Sequence, residues 1–484
     1  MSHTALGPGT IEWAGTQPWS NGRVGMVDGS YSGITQYMIA PSRPPHLKAL
    51  FAREASLNPY FDFPYRSGAY QMHLHRKWTF ETILSHLQHE TAPPGSAPAR
   101  DRLAGALADW ESWSRHRPVN HCPPLEGVAD WYFEHLNHPN DGPYWWAINM
   151  GLNFHEVDVP ILHLGAWFDI LIDSTLRAFN GVRAHGRTAA TRQSQRLVVG
   201  PWIHGPDNTN QQLVGELDFG PDARYVIQEE RLAWYDYWLK GVENGVLDGP
   251  PIRIFLMGDN RWLDLEQWPP PGIDYQPLYL REGAADSAAN EGALSFTAPD
   301  AAESPASFVD DPDDPIPSLI TYPEQGPTDH RPVEGRMLLY TSDVLTEDLT
   351  IIGPVKLVLY GLSSAVDTHW VARLSDVWPD GRSMSVCDGI LAARYRNGGE
   401  QPELLTPGQI YRFEIDLWST AQTFKAGHRV RLAIAGSDFP RYAQNMHTAL
   451  PNGAAVRSEI AVNTVFHDGM RASHLLLPLW QEQG

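Results

Sequence analysis

The 484-residue chain predicts a parallel α/β sheet that is interrupted by a mostly helical cap and followed by a β-sandwich of the jelly-roll type. Three observations carry this expectation. Apolar runs alternate with helical patterns in two separated stretches, as strands joined by crossover helices do. The segment between them is rich in aromatic and histidine residues and carries amphipathic helical spacing. Beyond Gly249-Pro250 the periodicity shortens into many short apolar runs divided by Gly, Pro, Asp and Ser, the spacing of an all-β unit.

In chain order, Arg23-Val24-Gly25-Met26-Val27 reads as a strand, Asp28-Gly29-Ser30 breaks it, Gly33 to Ala40 reads as a helix and Leu47 to Ala52 as a second strand. The cap follows, with Trp78 to His89 as an amphipathic helix and a Pro/Ala/Gly loop at 92–98. Val159 to Trp167 is a buried-strand run, Ile170 to Gly186 a helix, Arg196 to Trp202 the next strand and Gln228 to Leu239 a further helix. Strands continuously apolar in this way are covered on both faces. The short runs Ile252–Met257, Leu338–Tyr340, Ile351–Tyr360, Trp370–Asp376, Tyr411–Leu417 and Val430–Ala435 form the sandwich, and the polar stretch 282–306 reads as an exposed connection. These readings divide the chain into a first part of the parallel domain at 1–54, the cap at 55–152, the second part at 153–274 and the sandwich at 275–484.

Composition narrows the function. The formal charge is −21, which disfavours phosphate backbones and anionic lipid, so neither nucleic acid nor a membrane surface is an expected partner. No apolar run approaches the roughly 20 residues of a spanning helix. Eighteen Trp, 18 Tyr and 16 Phe with only 19% charged residues exclude a disordered chain. Cys122 and Cys387 are too few for a disulfide framework or a thiolate zinc site. The opening residues lack the basic and apolar regions of a secretory signal, which gives a cytoplasmic expectation.

Ser30 stands where a strand meets a helix, between Gly29 and the small pair Ser32-Gly33. A serine at such a turn holds its hydroxyl above the sheet, and the helix start directs backbone N–H groups at an oxyanion formed there. A strict G-x-S-x-G would have glycine at 28 and 32, where this chain has Asp28 and Ser32; alone, Ser30 reads equally as a helix-capping turn serine. Asp169 and His204 each follow a predicted strand at its C-terminal end, the edge at which parallel sheets collect reacting groups. Singly, each has a structural reading. Jointly, Ser30, Asp169 and His204 stand in the chain order of nucleophile, acid and base of the α/β-hydrolase fold.

With these residues the sequence resembles the family of cocaine esterases, α-amino acid ester hydrolases, glutaryl-cephalosporin acylases and X-prolyl dipeptidyl aminopeptidases (CocE/NonD type). The resemblance rests on the run from Gln17 to Met26 leading into Gly29-Ser30-Tyr31-Ser32-Gly33, on Gly165-Ala166-Trp167-Phe168-Asp169, on Leu197 to His204 and on Phe255-Leu256-Met257-Gly258. It continues through Asp311 to Ser318, Ser363 to Thr368 and Gly427 to Leu432, and so covers nearly the whole chain. It implies an α/β-hydrolase with an inserted helical cap and a C-terminal jelly roll. It further implies Ser30 as nucleophile, His204 as base and then acid, Asp169 as the group that orients the imidazole, and the backbone N–H of Tyr31 as an oxyanion donor. The expected reaction is hydrolysis of a small acyl ester or amide through an acyl-enzyme, with no metal or organic cofactor. X-Pro dipeptidyl-peptidase activity and a catalytically impaired binding protein stand as alternatives.

The resemblance also implies about a hundred further residues ahead of this start, including the first strands and a tyrosine that supplies the second oxyanion donor. Residues 1–20 contain no Tyr. The parallel domain is therefore expected to be N-terminally incomplete, with strand 23–27 at an open edge that invites self-association. Asp28, where the family has glycine, is expected to crowd the nucleophile turn. In the cap, Tyr60, Phe61, Phe63, Tyr65, Tyr144, Trp145 and Trp146 are candidates for a substrate pocket or for cap packing, and Leu171 is a further pocket candidate. His73, His75, His86 and His89 read as an exposed polar helix face rather than a metal site, and Asp310, Asp311, Asp313 and Asp314, broken by Pro312 and Pro315, as a structural loop rather than a calcium site.

Overall fold

The computed structural model describes residues 3–205, 208–283, 290–300, 302–320, 326–451 and 453–482. An N-terminal helix α1 (His3–Gly15) precedes β1 (Val24–Gly29), α2 (Tyr31–Ile39) and β2 (Leu47–Arg53). The chain then leaves the sheet for the cap, whose main helices are α3 (Trp78–Gln88), α4 (Ala97–Ala108), α5 (Trp110–Arg115) and α6 (Asp130–Asn137). It returns as β3 (Ile161–Phe168), α7 (Ile172–His185), β4 (Arg196–Ile203), α8 (Ile227–Tyr235), β5 (Ile252–Leu256) and β6 (Arg261–Leu265). These six strands form one sheet in the order β1-β2-β3-β4-β5-β6, parallel throughout except for the antiparallel β6.

The apolar runs become strands because both faces of the sheet are covered. On α7, Ile172, Leu176, Phe179 and Val182 are buried, a spacing of three and four that lays one helix face on the sheet. Trp202 and Trp234 fill the opposite side with Phe51, Leu164 and Val198. β1 ends the sheet: among the described residues it pairs with β2 alone. Val27, Trp13 and Trp19 are exposed around it, the two tryptophans edge to face with ring centroids 6.2 Å apart.

The cap has its own core of Tyr60, Tyr65, Tyr70, Phe80, Leu103, Tyr132 and Trp145. The histidine expectation divides here. His86 and His89 are exposed at the end of α3, but His73 and His75 are buried, because a wide π turn at Met72–Lys77 rolls them inward against Trp110 and Tyr132. Burial holds both rings neutral, His73 down at about 3 and His75 well below the usual imidazole range.

The C-terminal part is a rolled β-sheet of β7 (Asp274–Arg281), β8 (Glu291–Ser295), β9 (Ala306–Asp310), β10 (Leu338–Ser342), β11 (Leu349–Ser363), β12 (His369–Val377), β13 (Ser383–Ala392), β14 (Tyr411–Phe424), β15 (Arg429–Ala435), β16 (Ala461–Phe466) and β17 (His474–Leu479). The path runs β9-β16-β11-β17-β7-β8-β10-β15-β12-β13, with β14 pairing β11. Its core includes Leu357, Leu359, Trp370, Leu374, Phe413 and Leu432. The stretch 282–306 corrects the expectation of an exposed connection: it contains β8, which pairs antiparallel with β7 and parallel with β10, while 284–289 and 301 lie outside the described residues. The acidic loop is tied down by arginines, Arg117 of the cap donating to Asp313 at 2.7 Å and Arg336 to Asp314 at 2.9 Å.

The cap and the sandwich meet the parallel sheet near Asp169. Arg66 stacks on Trp418 at 3.5 Å and donates to Asp388, which also accepts from Arg441, and a cavity between these groups reaches Asp169 and Ile170. Among the described residues no helix is long and apolar enough to cross a membrane.

Candidate active site

Four adjacent parallel strands each deliver one polar side chain at their C-terminal ends. β1 ends before Ser30, β2 before Glu54, β3 before Asp169 and β4 before His204. The turn at Ser30 is sharp, with Asp28 at φ 115° and Ser30 at φ 54°, ψ −127°, both outside the region that L-residues prefer. Neighbouring backbone enforces it. The Ser30 N–H donates to the Arg53 carbonyl at 3.0 Å, and Ile34 N–H to the Ser30 carbonyl at 2.9 Å as α2 begins. Small residues let strand and helix pass closely: a Cβ at Gly33 would lie 2.7 Å from that of Ala55, and one at Gly29 2.7 Å from the Arg53 guanidinium.

The structure brings Ser30, His204 and Asp169 together. His204 Nε2 lies 2.9 Å from Ser30 Oγ and Nδ1 lies 2.8 Å from Asp169 Oδ1. Asp169 and His204 are buried, at 2% and 8% exposure, while Ser30 is half-buried and reachable. With Nδ1–H donated to a carboxylate, Nε2 is left as the acceptor facing the serine, the arrangement of a base that can take the hydroxyl proton. Tyr31 is the first residue of α2, so its amide belongs to the positive end of that helix.

Glu54 was not expected from the sequence. It follows β2 at φ 47°, 1% exposed, with its N–H on the Leu164 carbonyl at 2.7 Å. Burial, and then repulsion by Asp169, pushes its carboxyl up to about 7. Asp28 points outward, with its side chain 63% exposed and Oδ1 accepting the Gly29 N–H at 2.8 Å, so the crowding expected of it is taken up in the backbone rather than by its carboxylate.

The pocket candidates scatter. Tyr65 and Trp145 are buried among cap rings, Trp145 donating to the His138 carbonyl at 2.9 Å. Tyr144 is partly exposed and stacks on His138, and Leu171 is buried at the start of α7.

Residues 3–206 match the X-Pro dipeptidyl-peptidase (S15) family and residues 244–476 the X-Pro dipeptidyl-peptidase C-terminal non-catalytic domain. The cocaine esterase of Rhodococcus sp. (strain MB1 Bresler) is 33% identical, over 97% of this chain and 83% of the relative. The chain belongs to this family of serine hydrolases. Within the family, a putative serine esterase of Mycobacterium bovis is 26% identical over 97% of this chain and 78% of its own. In fold, an archaeal aminopeptidase superposes with a TM-score of 0.81 at 23% identity and an α-amino acid ester hydrolase with 0.79 at 24%, each covering 99% of this chain and 80% of the other.

Proposed function

We propose that Ser30, His204 and Asp169 form the catalytic triad of this hydrolase and that it acts as an esterase on small acyl esters. The observation that carries the triad is the pair of contacts on one imidazole, 2.9 Å to the serine and 2.8 Å to the aspartate. His204 takes the Ser30 proton as Oγ attacks the acyl carbonyl, and the oxyanion faces the start of α2 at Tyr31. The imidazolium then protonates the leaving alkoxide. Water, deprotonated by His204, releases the acid from the acyl-enzyme. Esterase activity is favoured over X-Pro dipeptide release because the cocaine esterase is 33% identical over 97% of the chain, whereas putative Xaa-Pro dipeptidyl-peptidases are 27% and 28% identical over 44% of it, or 21% identical over 87% of it.

The test is turnover of p-nitrophenyl acetate and butyrate by the chain beside Ser30→Ala. Turnover that disappears with the hydroxyl supports the triad. Turnover that persists in Ser30→Ala overturns it, and a folded chain that cleaves an X-Pro p-nitroanilide but neither ester overturns the esterase reading.

A further inference from the structure

The triad leaves Glu54 without a role, yet Glu54 sits on the strand between those that deliver Ser30 and Asp169. Its Oε2 accepts the Gly205 N–H at 2.9 Å and the Arg53 guanidinium at 3.1 Å, and lies 3.7 Å from His204 Nδ1. The imidazole therefore faces two buried carboxylates, Asp169 at hydrogen-bond distance and Glu54 at ion-pair distance. Glu54 Oε1 and Asp169 Oδ2 are both buried without a hydrogen-bond partner among the described residues.

A purely architectural role, with Arg53 and Glu54 fastening the residue after His204, explains two of the Glu54 contacts but not the third. Arg53 offsets one of the two buried carboxylates, Glu54 and Asp169, and with neutral imidazole leaves the other charge uncompensated, which is costly in a buried site. The charged groups around Glu54 are Arg53 on its own strand, Asp169 after β3, His204 after β4 and, through Arg53, the exposed Asp28 of β1. With neutral imidazole the buried set of Arg53, Glu54 and Asp169 carries one net negative charge. With imidazolium it is neutral. The site is complementary to the state that exists only after Ser30 has given up its proton, where stabilisation raises the rate.

We propose that Glu54 is a second carboxylate for His204, a positioning residue that holds the imidazole through Gly205 and supplies half of the negative charge that the imidazolium meets. The proposal rests on the triad reading. Because burial and Asp169 raise the Glu54 carboxyl to about 7, this second charge is present above neutral pH and lost below it.

The test is kcat and KM for p-nitrophenyl butyrate from pH 5.5 to 8.5, for the chain, Glu54→Gln, Asp169→Asn, the double variant and Ser30→Ala. The expected result is that Glu54→Gln lowers kcat about tenfold at pH 8 with KM within twofold, and that the two profiles converge below pH 6, where Glu54 is protonated and resembles glutamine. A ratio that does not change with pH, as a structural defect gives, overturns the proposal. Asp169→Asn keeps Glu54 and is expected to lose about a hundredfold rather than the roughly 10⁴-fold of a triad with one carboxylate, and the double variant to lose the remainder. If Glu54→Gln does not fold, the Asp169→Asn arm decides alone, and a 10⁴-fold loss there overturns the proposal. Turnover surviving in Ser30→Ala refutes the triad itself, an outcome distinct from failure of the Glu54 role.

Discussion

Asp28 is where the nucleophile turn stores strain. Its φ of 115° is one that glycine adopts freely and other residues adopt at about 1–3 kcal/mol. Asp28→Gly and Asp28→Ala remove the same interactions, the 2.8 Å hydrogen bond from Gly29 N–H and the 3.5 Å ion pair with Arg53. Their difference therefore isolates the backbone. Glycine gains the strain relief and gives back about 0.5–1 kcal/mol of unfolded-chain entropy, which leaves Asp28→Gly more stable than Asp28→Ala by about 1 kcal/mol. The assay is urea unfolding of both variants followed by tryptophan fluorescence, with p-nitrophenyl butyrate turnover at each step. The glycine variant is expected to unfold at higher urea and to keep activity. Equal midpoints, or a more stable alanine variant, would refute the claim that this turn is held in a strained conformation.

Acid should unfold the chain steeply. Burial holds His73, His163 and His369 at about 3, His135 at about 4 and His330 at about 2, so above pH 6.5 these rings are neutral whether folded or not, while between pH 6.5 and 4 only the unfolded chain takes up their protons. Glu54 and Asp62, raised to about 7 and 6, and Asp141, Asp173, Glu230 and Asp376, which burial also raises, act in the opposite sense and offset part of this slope. Each ring should cost up to about 1.4 kcal/mol of stability per pH unit in this range, and His163→Gln should flatten the slope of urea midpoint against pH; an unchanged slope in His163→Gln would count against the buried neutral rings. Asp388→Asn should destabilise by about 3 kcal/mol, because it leaves Arg66 with no carboxylate and Arg441 with only the longer 3.5 Å pair to Asp438 at the junction of cap and sandwich; a thermal midpoint unchanged from the parent would show that this junction contributes nothing.

Continuous apolar runs made the parallel strands legible. Val159 to Trp167 and Arg196 to Trp202 can be buried on both faces only as central strands, and they became β3 and β4. Ser383–Ala392 was not legible: it reads Ser-Met-Ser-Val-Cys-Asp-Gly-Ile-Leu-Ala, and its serines are buried alongside its apolar residues, so no alternation marks it. α1 was hidden by Gly7, Pro8 and Gly9, residues that argue locally against a helix. In the site, Ser30, Asp169 and His204 could be named because each closes a recognisable strand. Glu54 closes one as well, at the end of Leu47–Arg53, and the rule that located the other three reaches it once Arg53 is counted into the strand. The cap aromatics resisted assignment because packing and lining a pocket make the same demand on sequence, a large apolar side chain, and only the fold separates buried Trp145 from half-exposed Tyr144.

The most direct test of the triad is reaction of the chain with a fluorophosphonate, followed by peptide mapping by mass spectrometry. The expected result is a single adduct on Ser30, formed in step with loss of p-nitrophenyl butyrate turnover and absent from Ser30→Ala. An adduct elsewhere with turnover lost, or full turnover in a chain quantitatively modified at Ser30, would contradict the assignment of Ser30 as the nucleophile.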